Sequence, residues 1–255
     1  MTSTSRQRQE RILAELYAQR FVTPKALAAL TAVSEATVRR DLKALADAHE
    51  IDLVHGGATL PRRNDFSWKS KEQRNVEAKR VIGRLAAELV RDDDQIFLDS
   101  GTTCFEMIPF IKARQRLSVI VNSARLALEL DAQGLSVLML GGQYRPARMD
   151  TVGPLAAYTL DQLRGYVCFI GADGVNMQFG LSAADIESAD LNRRASQHAR
   201  QTVLLADHTK FATASLFKIV EWRDVARLVT DQEPTPEWME FLSAQGIQVD
   251  FPENS

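Results

Sequence analysis

Residues 34–42 read Ser34-Glu35-Ala36-Thr37-Val38-Arg39-Arg40-Asp41-Leu42, and the reading of the chain on either side follows from this run. A serine at its head can accept a backbone N–H and start a helix. Val38, Leu42 and Leu45 recur at the three-to-four spacing of an inward stripe, leaving Thr37, Arg39, Arg40 and Lys43 for solvent or DNA. Upstream, Thr23-Pro24 is another helix start, with Thr as N-cap and Pro at the first helical position, where its missing N–H costs nothing. Ala26, Leu27 and Leu30 form the apolar side of that short helix. Ile12, Leu13, Leu16 and Tyr17 form that of a first helix over 9–19. Downstream, Ile51-Asp52-Leu53-Val54-His55-Gly56-Gly57-Ala58-Thr59-Leu60 can make two short strands, or a ribbon about a flexible glycine pair. Three helices and a ribbon in this order read as a winged helix-turn-helix.

In that module the second helix of the motif enters the major groove, where arginine reads base edges and small polar residues hold phosphates. Arg39 and Arg40 lie early on it. Thr23, Ser34, Glu35, Thr37, Val38 and Lys43 complete the candidate DNA-facing set, with Ser34 leaving helix-terminal N–H groups near a phosphate.

Charge distribution agrees with a small DNA-reading head on a larger body. The 255-residue chain carries a net charge of −2, which argues against a protein coated in nucleic acid. Yet 15 Lys and Arg stand against 10 Asp and Glu through Arg80, and 16 against 23 beyond it. Pro61-Arg62-Arg63-Asn64-Asp65 has the composition of a linker. The expected division is 1–60 for the head, 61–71 for the linker and 72–255 for an effector-binding domain.

Beyond the linker, helical segments alternate with short apolar runs. The pattern predicts helices over 71–90, 104–111, 124–130, 185–200 and 236–245. It predicts strands over 95–99, 117–121, 135–140, 166–171, 202–206, 225–230 and 247–251. Such alternation means an α/β fold, a doubly wound and mostly parallel sheet with helices on both faces.

The chemistry expected of this domain sits where the strands end. Asp99-Ser100-Gly101-Thr102-Thr103 follows an apolar strand and precedes a helix, the place where doubly wound sheets bind ligands. Asn122-Ser123, Gly141-Gly142 and Asp173-Gly174 follow three more strands, and Lys210 lies just past another, where an ammonium could meet a phosphate. Glu187 opens a helix. Strand ends on one edge of a parallel sheet converge, so these hydroxyl, amide, carboxylate and ammonium groups would line one pocket suited to a phosphorylated sugar.

Other features read plainly. Cys104 and Cys168 show no paired or metal-ligand spacing, so reduced, partly buried thiols are expected, with no metal and no cofactor. The N-terminus lacks an apolar export segment and no run approaches a membrane span, which predicts a cytoplasmic protein. Asp92-Asp93-Asp94 lacks calcium-loop spacing and reads as a connecting loop. His198 and His208 read as ordinary surface or helix residues, Arg193-Arg194 as a solvated or interface face, and the three tryptophans form no identifiable array.

The run from Arg8-Gln9-Glu10-Arg11-Ile12-Leu13 through Val33–Leu42 to His55-Gly56-Gly57-Ala58 resembles the DeoR family of bacterial regulators. So do Asp99-Ser-Gly-Thr-Thr, Asn122-Ser123, Gly141-Gly142, Asp173-Gly174, the segment from Glu187 to Arg193, and Thr209-Lys210-Phe211. The resemblance implies a sensor domain folded like ribose-phosphate isomerases and aminosugar-phosphate deaminases, in which a sugar phosphate or related metabolite relieves repression. One departure is clear: the family usually carries a basic residue or two before the wing's glycines, whereas this chain has Glu50 and Asp52, which implies either a wing that grips DNA less well or a role taken over by Arg62 and Arg63.

Two functions follow. The first is a transcriptional repressor of carbohydrate metabolism, not an enzyme, with operator DNA, a phosphosugar and further copies of itself, as dimer or tetramer, for partners. The second is an isomerase or deaminase bearing a DNA-binding appendage, since Asp99, Asp173, Glu187 and Lys210 are suitable types for proton transfer.

Overall fold

Strand residues 167–170, Val-Cys-Phe-Ile, are apolar without a break and buried throughout, which only a sheet covered on both faces allows. In the computed structural model, which describes residues 5–19, 21–47, 51–59, 68–131, 133–212 and 214–252, they form the centre of a seven-stranded sheet. The chain divides into two compact units, Met1–Arg74 and Asn75–Ser255.

In the first unit, α1 (Ser5–Gln19), α2 (Pro24–Thr31) and α3 (Glu35–Asp47) pack around Ile12, Leu16, Leu27, Val38 and Leu42. Thr23 caps α2 by accepting the Ala26 N–H at 3.2 Å, and α2 ends where Ala32 turns into the left-handed region at φ 55°. The expected ribbon is three-stranded. Between β2 (Asp52–Val54) and β1 (Phe21–Val22) lies β3 (Gly57–Thr59), antiparallel to both. A side chain at Gly57 would stand 2.4 Å from the Val22 carbonyl, so the third strand closes on the wing only because this residue is glycine. Glu50, Arg62, Arg63 and residues 61–67 of the expected linker lie outside the described residues. Residues 68–72 of that segment form a helix, α4 (Trp68–Glu72).

The second unit opens with α5 (Val76–Glu88). The helix expected over 71–90 is interrupted because Asn75 sits in the left-handed region, φ 49°. Then follow β4 (Gln95–Leu98), α6 (Thr102–Phe105), α7 (Ile108–Ile111), β5 (Leu117–Val121), α8 (Ala124–Glu129) and β6 (Leu135–Met139). The helix expected over 104–111 is split because Pro109, near the start of α7, has no N–H to continue the ladder from α6. A hairpin not foreseen in the sequence, β7 (Gln143–Arg145) with β8 (Asp150–Val152), leads into α9 (Pro154–Asp161). The chain then forms β9 (Val167–Gly171), β10 (Gly174–Asn176), β11 (Gly180–Ala183), α10 (Ile186–His198), β12 (Gln201–Leu205), β13 (Phe217–Lys218), β14 (Arg227–Val229), α11 (Pro236–Ala244) and β15 (Gln248–Asp250).

The main sheet runs β15-β14-β12-β9-β4-β5-β6, every pair parallel. The chain therefore winds outward from β4 to β6, returns to β9 beside β4, and winds outward again. The crevice beside β4 and β9 is the topological switch point. Side chains alternate across the sheet. Phe97, Ile120, Cys168, Ile170, Leu204 and Leu228 join one core with residues of α9, α10 and α11, while Ile96, Leu98, Val119, Phe169 and Val203 are equally buried on the other side. Trp222, Trp238, Phe211 and Phe241 make an edge-to-face cluster in that core, ring centroids 5.0–5.9 Å apart, where the sequence suggested no array. Both thiols are buried, and desolvation first, with the nearby Asp99 carboxylate second, pushes their pKa well up.

Candidate functional site

On the head, α3 presents Glu35, Arg39, Arg40 and Lys43 to solvent. Arg39 lies 3.8 Å from Glu35 with both exposed, a weak pair that a phosphate could replace. Ser34 accepts the Thr37 N–H at 3.3 Å and bonds the Thr37 hydroxyl at 3.0 Å, so these two side chains fasten the start of the helix. Thr23 does the same for α2. Val38 is a correction: counted among DNA-facing residues, it is wholly buried in the head's core and can hold the helix but touch nothing outside it.

A residue that periodicity left unassigned lies beneath the arginine doublet of α3. Asp41, directly after the arginine doublet, turns inward and receives Arg8 Nε at 2.6 Å and the Arg8 terminal nitrogen at 3.1 Å. The hydrogen bond to Asp41 raises the Arg8 pKa. Of the three acids on this helix, Glu35, Asp41 and Asp47, the one beside the arginine doublet is thereby offset from within.

In the second unit the strand-end segments do share one edge. Leu98 stands beside Val121 and Phe169 in register, and Val121 beside Met139, so residues 99–103, 122–123, 141–142 and 171–174 leave the sheet together. Asp99 is buried and its carboxylate accepts the Gly171 N–H at 3.2 Å, while its own N–H bonds the Phe169 carbonyl. Ser100 and Thr102 are buried and Thr103 half-buried. A side chain at Gly101 would lie 2.9 Å from the Asp99 carboxylate. Asn122 is buried; its amide donates to the Thr151 carbonyl at 3.0 Å, and its carboxamide oxygen has no partner among the described residues. Ser123 caps α8 by accepting the Leu126 N–H.

Gly141 and Gly142 are exposed, and Gly142, at φ 148°, is where β7 folds against α9. Asp173 accepts the Ala184 N–H at 2.9 Å, which joins the end of β9 to the approach to α10. Lys210 lies on a 3-10 turn, His208–Ala212, anchored by Phe211 against Trp238; the residue is half-buried and its ammonium makes no ion pair with a described residue.

Glu187 reaches this group through a residue the sequence did not single out. Arg145 spends its guanidinium on the fully buried Asp150, at 2.7 and 2.8 Å, on Asp185 at 2.7 Å, on Glu187 at 3.2 Å and on the Ser188 hydroxyl at 3.1 Å. Arg148 adds contacts at 3.5 and 3.7 Å to Asp150 and Asp185. Ser100 donates to Asp150 at 3.5 Å. Burial alone would raise the Asp185 carboxyl, but the bonds from Arg145 and Ser188 outweigh it and hold the pKa at about 2. Nothing local marks Arg145 in the sequence, because its partners lie 5 and 40 or more positions away. The capping pair Asp185 and Ser188 was the one available clue.

The remaining expectations divide. Asp92, Asp93 and Asp94 are loop fasteners, to the Gln115 N–H, Arg116 and Arg200 respectively. His198 pairs with Asp161 at 3.0 Å and His208 with Asp231 at 2.7 Å. Arg194 is not simply solvated, since it bridges Asp190 and Asp161. No group of described residues could hold a metal ion, and no described helix is long and apolar enough to cross a membrane.

Residues 8–64 match the DeoR-like helix-turn-helix domain, and residues 74–232 the DeoR C terminal sensor domain. The chain belongs to the DeoR family. Among its relatives, the HTH-type transcriptional repressor CsqR of Escherichia coli (strain K12) is 30% identical over 98% of this chain and 97% of its own. The HTH-type transcriptional repressor GlcR of Bacillus subtilis (strain 168) is 30% identical over 89% of each. As a DeoR protein the chain is a DNA-binding transcriptional regulator with a separate sensor unit. Ribose 5-phosphate isomerase A of Methanocaldococcus jannaschii aligns with 54% of this chain and 55% of its own at 21% identity, TM-score 0.40, a likeness that carries no argument about activity.

Proposed function

We propose that this DeoR protein is a cytoplasmic repressor of a carbohydrate-metabolism operon, released from double-stranded operator DNA by a phosphorylated sugar or related metabolite. The observation that carries the reading is that five strand-end segments leave one edge of the sheet, those after β4, β9 and β12 flanking the switch point, with complementary chemistry left over. The unmet Asn122 oxygen is an acceptor for a sugar hydroxyl, and the Lys210 ammonium a cation for a phosphate. Asp99, Ser100, Gly101, Thr102, Thr103, Ser123, Gly141, Gly142, Asp173 and Glu187 complete the proposed ligand set. Thr23, Ser34, Glu35, Thr37, Arg39, Arg40 and Lys43 form the proposed DNA surface. The domain division proposed is a head to residue 60 and a sensor from about 72.

Binding is favoured over turnover. Asp99 and Asp173 each accept a backbone N–H and Glu187 is paired with Arg145, so three of the four groups suited to proton transfer are engaged in holding the fold. We read the chain as no enzyme on that ground. A homo-oligomer, dimer or tetramer, is supported by β6: it ends the sheet, carries no charge, and exposes Val137, Leu138 and Met139, an open edge that a second copy can extend across a two-fold axis.

The test uses DNA selected by this protein from a randomised duplex pool, followed by gel shift with glucose, fructose, glucosamine, ribose and glycerol phosphates. An effector that binds the state unfit for DNA lowers operator affinity in proportion to its preference for that state. Release by one phosphate and not by its parent sugar is expected. Operator affinity indifferent to every phosphate would end the reading, and turnover of any of them would favour the isomerase or deaminase.

A further inference from the structure

The first residue of the sensor unit is bonded to one of the strand-end segments. Asn75 follows immediately on the division between the two units and stands at the N-cap position of α5 in a left-handed conformation, φ 49° and ψ 44°. An asparagine there ordinarily accepts an N–H of its own helix. Asn75 does not cap α5 in that way. Its side-chain amide instead donates to Asp207 at 3.0 Å and lies 3.2 Å from the Thr209 hydroxyl, more than 130 positions along the chain.

The acceptor is itself poised. Asp207 is 1% exposed, at the end of β12, and its same oxygen takes the Thr209 N–H at 3.0 Å and the Thr209 hydroxyl. The Asp207 carbonyl takes the Lys210 N–H at 2.9 Å. Asp207, Thr209 and Lys210 are thus one hydrogen-bonded turn, and any ligand that draws on the Thr209 hydroxyl or the Lys210 ammonium moves the carboxylate that Asn75 holds. The backbone at Asn75 can respond, because asparagine tolerates both the left-handed region and the helical one. The Asn75 carbonyl accepts the Lys79 N–H and so is held to the first turn of α5, which leaves a change in the backbone at residue 75 to redirect the chain that precedes it.

We infer that Asn75 is the positioning residue through which occupancy at the Asp207–Lys210 turn reaches the chain leading to the DNA-binding head. The inference rests on the effector reading given above.

Asn75→Gly is the clean variant, since glycine keeps the left-handed backbone and removes only the amide. Asn75→Asp, which sets a second carboxylate against Asp207, is its companion. Three quantities are measured on the full-length protein: the midpoint of thermal unfolding, the Kd of the releasing phosphate without DNA, and the factor by which that phosphate weakens binding to the selected duplex. Both variants are expected to fold and to keep the phosphate Kd within about threefold, while the release factor falls at least about tenfold, the equivalent of ~1.4 kcal/mol of coupling. Release at wild-type concentrations and to the wild-type extent by both variants overturns the role of Asn75 alone. A collapse of phosphate affinity in both makes Asn75 part of the binding site and overturns it too. Failure of the wild-type protein to respond to any phosphate overturns the effector reading, and the coupling with it.

Discussion

The Asp99 carboxylate accepts the Gly171 N–H at 3.2 Å, so the residue that follows β4 is bonded to the last residue of β9, across the line where the sheet changes winding direction. This bond fixes the mouth of the crevice before any ligand arrives. It also separates two jobs of Asp99. Asp99→Ala strands the Gly171 N–H and is expected to cost about 1–3 kcal/mol in thermal or urea unfolding. Asp99→Asn keeps an acceptor for that N–H, and should leave stability near wild type while weakening the phosphosugar roughly tenfold or more through loss of a charged acceptor. An alanine variant as stable as wild type would remove the bond from the account.

The two adjacent glycines at the end of β6 are not equivalent. A methyl group at Gly142 would lie 2.5 Å from the Val152 carbonyl at a backbone angle unfavourable to other residues, whereas nothing lies within 4 Å of one at Gly141. Gly142→Ala is expected to destabilise by about 1–3 kcal/mol, with a fall in Tm of about 2–4 °C for each kcal/mol. Gly141→Ala should unfold within about 0.5 kcal/mol of wild type. Equal midpoints for both variants would contradict the geometry.

Acid tests the Arg145 cluster. Asp185 is held at about 2 in the fold, below the ~3.9 of an unfolded chain. A depressed carboxyl stabilises fully above the unfolded value and loses its contribution as pH falls through the folded one. Replacing Arg145 with glutamine leaves the buried Asp150 only the longer contacts from Arg148 and Ser100 and should cost up to about 3 kcal/mol at pH 7. The gap between wild type and Arg145→Gln, measured by urea unfolding, should then shrink as pH falls from about 4 to about 2. A gap independent of pH would show the arginine acting by packing alone.

The head supplies a contrast between contact and scaffold. Arg39→Ala and Arg40→Ala, both at exposed positions, should leave Tm unchanged and weaken the selected duplex by about 1–3 kcal/mol each, with relaxed preference at the base each one reads. Val38→Ala should instead lower the thermal midpoint of the head by hollowing its core. Arginine variants that bind every duplex as tightly as wild type would place the DNA surface elsewhere.

Sequence reading reached furthest where local chemistry decides structure. Thr23-Pro24 and Ser34 announce two helices because capping is a matter of three or four neighbours. The main strands were visible because each is an apolar run of buried residues, and the strand-end groups followed from them. What escaped depends on distant partners or on elements too short to show a period. The β7–β8 hairpin and the small antiparallel sheet formed by β10, β11 and β13 are built of strands of two to four residues, and β1 has only two. The helix Pro154–Asp161 did carry a Gly153-Pro154 start, which could have found it. Arg145, Asn75 and Asp207 owe their importance to pairings 40 to 132 residues apart, which no window along the chain contains.

Arg8 and Asp41 are tied to each other in inheritance. One sits on the first helix and the other on the third, yet they form one unit, in which Arg8 offsets a buried carboxylate beneath the proposed DNA surface. Neither position is free to drift alone, so the two should appear together or vanish together among descendants of this chain. The same dependence reaches the bench, where a tag or truncation that disturbs the beginning of the first helix would blunt DNA recognition without touching a residue that meets DNA.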